Sequence, residues 1–138
     1  MNMKKALIVD SDRGRAAQAR RVLQQAGFQT EAVGDGWSAL VRLQENSPDL
    51  LLVQPLLAIV SGYEVARYTR LDPQLAGTRI LMLGEASLTG AAAELADDVL
   101  ALPLQPAALL QAATTARSQR PLAQTAGQYP SISSTAAS

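Results

Sequence analysis

Three short runs made only of apolar side chains constrain this chain more than any other feature: Ala6-Leu7-Ile8-Val9, Leu50-Leu51-Leu52-Val53 and Ile80-Leu81-Met82-Leu83. A strand with one wet face alternates apolar and polar residues. Runs without alternation suit strands covered on both faces, as in the middle of a parallel sheet flanked by helices. The intervening segments supply those helices. From Arg13 to Ala26 the residues Ala16, Ala19, Leu23 and Ala26 recur at helical spacing, with Asp12 placed to cap the start and Gly27 the end. Phe28–Val33 alternates as a further strand, Gly34-Asp35-Gly36 makes a turn, and Trp37–Asn46 presents Ala39, Leu40 and Leu43 on one helical face. A helix is expected from Gly62 to Leu71, stopped by Asp72-Pro73. A short helix near Gly90–Ala96, a strand near Val99–Ala101 and a last helix over Pro106–Arg117 complete the order, with Pro106 suited to a first turn.

Five strand–helix units predict an α/β fold of the flavodoxin-like kind, a (βα)5 doubly wound, all-parallel sheet with strand order 2-1-3-4-5. That order places the functional crevice at the carboxyl ends of strands one and three, where Asp10-Ser11 and Gln54-Pro55 stand. Residues 1–118 read as one domain. Residues 119–138, rich in Ser, Thr, Ala and Gln without apolar periodicity, read as a flexible tail.

The chain has no Cys and no His, which excludes disulfides, Cys/His zinc sites, thiol nucleophiles and imidazole bases. No nucleophile–base pair is recognisable, so no enzymatic activity is expected. Twelve basic and twelve acidic residues cancel, so neither nucleic acid nor an anionic membrane is an expected partner. The apolar start Ala6–Val9 is too short for a secretory core, and no run is long enough to span a bilayer. A cytoplasmic protein is expected.

The framework residues Ala6-Leu7-Ile8-Val9-Asp10, Gly27-Phe28, Asp35-Gly36-Trp37-Ser38-Ala39-Leu40, Pro48-Asp49-Leu50, Gly62-Tyr63-Glu64-Val65, Ala96-Asp97-Asp98 and Pro103 follow one another in the order seen in a known family. Over about residues 4–117 the chain resembles the receiver domain of two-component response regulators, the CheY-like family. The resemblance implies an acidic pair after strand one, an aspartate at the tip of strand three that accepts a phosphoryl group, and Mg²⁺ bound between them. A hard dication wants oxygen ligands and carboxylate charge. Matched to that pattern, the acidic pair is Asp10-Ser11 and the acceptor is Gln54, whose amide cannot form an acyl phosphate. The Ser/Thr expected after strand four is Gly84, the lysine before the last proline is Leu102, and the aromatic switch position is Val99.

These departures imply a degenerate pseudo-receiver: a non-phosphorylatable interaction module in signal transduction, with Mg²⁺ binding weak or absent and no cofactor. Two alternatives stand beside it, an atypical receiver that joins a phosphorelay by an unorthodox route and a small-ligand binder on a flavodoxin-like scaffold. Gln54 is expected to donate its amide N–H to Asp10, with Leu102 over the pocket mouth, while Asp12 serves as a helix cap rather than a metal ligand. In the loop after strand three, Ile59 and Val60 form a candidate interaction loop, with local packing over the pocket the preferred reading. The segment from Gly84 to Val99 is roughly one helical turn shorter than the family usually has, which trims a face receivers use for dimers and targets. A dimer is compatible with the fold but nothing in the sequence supports it. The resemblance also implies a cis peptide bond before Pro103. Arg13, Arg15, Arg20 and Arg21 read as a solvated basic helix face, Asp97-Asp98 as a solvated turn, and Trp37 as partly buried. The partner is expected to be a protein, of unknown identity.

Overall fold

The structure, a computed structural model, describes residues 3–84 and 94–115. Its five strands are β1 (Lys4–Val9), β2 (Phe28–Val33), β3 (Leu50–Val53), β4 (Arg79–Leu83) and β5 (Asp98–Leu100). Its helices are α1 (Arg13–Gln25), α2 (Gly36–Glu45), α3 (Gly62–Leu71) and α4 (Pro106–Thr114), with a 3-10 turn at Pro73–Leu75. The strands lie in the order β2-β1-β3-β4-β5, and every neighbouring pair is parallel. This is the expected flavodoxin-like sheet. Most of the short helix expected over 90–96, the last residues of the final helix and the tail at 119–138 lie outside the described residues.

The unbroken apolar runs are buried because each face of the sheet has its own helical cover. Ala6, Ile8, Leu50, Leu52, Leu81 and Leu83 pack with Ala16, Ala19 and Leu23 of α1 and Leu109 of α4. Leu7, Val9, Leu51, Val53, Ile80 and Met82 pack on the other side with Ala39 and Leu43 of α2 and Val65 of α3. Full burial of one such Leu or Val side chain stabilises the fold by about 1.5–3 kcal/mol.

Local chemistry sets the helix starts. Asp12 Oδ1 accepts from Arg15 N at 3.0 Å, and Asp35 Oδ1 accepts from Ser38 N at 2.7 Å. Ser61 and Glu64 form a reciprocal capping box at the head of α3. Two glycines permit close approach. A Cβ on Gly36 would lie 2.0 Å from the Val60 carbonyl oxygen, and one on Gly62 would lie 2.0 Å from that of Gln54. At the other end of the sheet, Arg79 is buried and its Nε donates to Ala112 O near the end of α4, a favourable place for a cation.

Two expectations fail here. Trp37 is 60% exposed, because Gly36 is the residue pressed against the β3–α3 loop, turning its neighbour outward. Asp97 does not lie in a solvated turn. Its side chain is 1% exposed, it accepts from Arg70 Nη2 at 2.6 Å and from Ile80 N at 2.7 Å, and it thereby ties α3 to the entry of β5. Asp98 keeps the exposed position expected of both.

Candidate functional site

Register brings the candidate site together. Val9 pairs with Val53, so the residues that follow, Asp10 and Gln54, leave the sheet side by side. Gln54 N donates to Val9 O at 2.9 Å and Asp10 N to Val33 O at 3.0 Å, which fixes both backbones at the strand tips. Gly84 follows β4 at the same edge, with its N–H on Leu100 O. Leu102 and Pro103 follow β5 there, joined by the expected cis peptide bond. Val99 is partly buried against the α2/α3 side of the core. Leu102 is 39% exposed.

The polar contacts differ from those expected. Gln54 does not serve Asp10. Its side-chain oxygen accepts from both the backbone N–H and the hydroxyl of Ser11, each at 2.9 Å. A backbone N–H can only donate, so the amide must present its oxygen to Ser11. Asp10 is 3% exposed, and its carboxylate is held by Arg15 instead. Arg15 Nε donates to Oδ2 at 2.5 Å and Nη2 to Oδ1 at 2.7 Å, while Asp12 N also donates to Oδ1 at 2.9 Å. The bond to Asp10 raises the pKa of Arg15 above its ordinary value. The Arg15 backbone N–H holds the Asp12 carboxyl below the usual carboxylate range. Asp12 therefore acts as the cap, as its position predicts.

Arg15 is the residue that sequence reading missed. Arg13, Arg20 and Arg21 are exposed as expected, but the Arg15 side chain retains only 19% exposure. A signal for it was present. Capping by Asp12 makes Arg15 the third helical residue, and helical side chains lean toward the N-terminus, which here points at the tip of β1. The two members of the candidate interaction loop part company. Val60 packs against the core, whereas Ile59 is 85% exposed at φ 73°.

A Mg²⁺ ion of the kind receivers use does not fit this donor set. The carboxylate has both oxygens occupied by a guanidinium fork, and the two neutral groups beside it satisfy each other. No helix among the described residues is long and apolar enough to cross a membrane.

Comparison with known proteins agrees with this architecture. The response regulator receiver domain family matches residues 6–114. The DNA-binding response regulator MtrA of Mycolicibacterium paratuberculosis is 39% identical over 77 residues, which is 56% of this chain and 33% of that protein. The phosphate regulon transcriptional regulatory protein PhoB of Rhizobium meliloti is 34% identical over 79 residues, 57% of this chain and 35% of that protein. The chain thus spans about a third of the length of the curated relatives it matches. Among solved structures, the chemotaxis response regulator CheY4 of Vibrio cholerae superposes with a TM-score of 0.74 at 27% identity, over 80% of this chain and 95% of that one. With the matched span, the sheet order and the strand-tip crevice in agreement, the chain belongs to the response regulator receiver domain family.

Proposed function

We propose that this receiver domain works without phosphotransfer, as a protein-interaction module in two-component-type signalling. One observation carries the reading: the side chain at the tip of β3, beside Asp10, is the amide of Gln54, and its oxygen is bound to Ser11. An amide oxygen is no nucleophile for forming an acyl phosphate, and no carboxylate replaces it there. Three neighbouring positions support the same conclusion. Ser11 brings a hydroxyl where the family has a second acid, Gly84 brings no hydroxyl, and Leu102 brings no cation. Mg²⁺ binding is accordingly weak or absent, and the module catalyses no reaction of its own. Its contact surface includes the β3–α3 loop, where Leu56 and Ile59 are 77% and 85% exposed.

The test is chemical. Treatment with acetyl phosphate or phosphoramidate in millimolar Mg²⁺, followed by intact-mass measurement, is expected to give no phosphoryl adduct. An adduct mapped to an aspartate would overturn the reading in favour of an atypical phosphorelay receiver.

A further inference from the structure

The pocket has Ser11 and Gln54 where the family carries carboxylates, yet it does not lack a cation. Asp10 is almost wholly removed from water, and a carboxylate so placed requires a counter-charge. Arg15 meets that requirement through two roughly parallel bonds of 2.5 and 2.7 Å, the geometry in which guanidinium and carboxylate interact most strongly. The cap at Asp12 fixes the start of α1 and hence the point from which the arginine reaches back. Ser11 and Gln54 close the neighbouring side by bonding to each other rather than to Asp10. A dication approaching Asp10 would face a positive charge already seated on both carboxylate oxygens. Repulsion between such charges a few ångströms apart is large where water is partly excluded.

We infer that Arg15 is the resident cation of this pocket, a covalently tethered replacement for a divalent ion. It excludes such an ion even when carboxylates are restored at positions 11 and 54. This deepens the reading of the pocket as a receiver site out of use, and it rests on that reading. Arg15, Ser11 and Gln54 then form one set: acids removed, and the charge of the one remaining acid answered from within the chain.

The experiment is a Mn²⁺ titration of the full chain, followed by paramagnetic broadening of the amide signals of residues 10–12 and 54. Five proteins are compared: the wild type, Arg15→Ala, the pair Ser11→Asp with Gln54→Asp, and that pair combined with Arg15→Ala or with Arg15→Lys. Circular dichroism verifies folding. If the combined variant does not fold, Arg15→Gln takes the place of Arg15→Ala, retaining a hydrogen-bond donor without the charge. Removing the arginine from the acid-restored background is expected to tighten Mn²⁺ binding about tenfold or more. Arg15→Lys in that background should keep most of the exclusion, because it keeps the charge. Equal Mn²⁺ affinity with and without the arginine would overturn the inference. A phosphoryl adduct on the wild-type chain would sink the parent reading instead, and the titration would still report on Arg15 separately.

Discussion

Replacing Arg15 with alanine should destabilise the domain, and by more than replacing its partner. Removing one member of a buried ion pair typically costs about 3–5 kcal/mol, because the other charge is left buried and unpaired. Here the Arg15 side chain retains 19% exposure and its loss opens a water path to Asp10, so about 2–3 kcal/mol is expected. The reciprocal change Asp10→Asn frees a guanidinium that can swing toward Asp12, 3.8 Å from Nη1, or into solvent, and should cost about 1–2 kcal/mol. The double variant should cost less than the sum by about 1 kcal/mol or more, since the two side chains act as a unit. Urea unfolding at pH 7, followed by far-UV circular dichroism, would show the midpoint for Arg15→Ala lowered by about 1–2 M. The ordering should persist in 0.5 M salt, because a pair this enclosed is poorly screened. A loss below about 0.5 kcal/mol for Arg15→Ala, or strict additivity of the two changes, would refute the claim that the pair holds the pocket.

Ile59 occupies a γ-turn of positive φ, with Val60 N bonded to Ala58 O at 2.8 Å around it, a strained place for a β-branched side chain. Because Ile59 is 85% exposed, Ile59→Gly loses little packing and should stabilise the fold by about 0.5–1 kcal/mol, read as a rise in melting temperature. Gly62→Ala should do the opposite. Its Cβ would meet backbone atoms of Gln54 and Pro55, which cannot rotate aside, and the expected loss of about 2–3 kcal/mol would appear as a fall in Tm of about 10 °C.

The sheet was legible because its signals are short-range. The spans of β2, β3 and α3 are those expected, since an alternating run, an unbroken apolar run and an Asp72-Pro73 stop each act within a few residues. The position of Gln54 beside Asp10 was equally legible, because strand order and apolar register alone set it. Charge pairing was not. Asp97 finds Arg70 across 27 residues, and no local pattern distinguishes it from its exposed neighbour Asp98. Arg15 was masked by company, one of four arginines on a helix whose other three face water. Residue type alone predicts partial burial for Trp37, whereas its exposure follows from a contact made by the glycine before it.

The neck of the β3–α3 loop is drawn shut by its own backbone. Gly62 N donates to Pro55 O at 2.8 Å, and the absence of a side chain at Gly62 lets the two ends nearly touch. Leu56 and Ile59 therefore project from a closed ring rather than a slack strap. On the proposed interaction reading, a protein that gripped them would lose little conformational freedom in doing so.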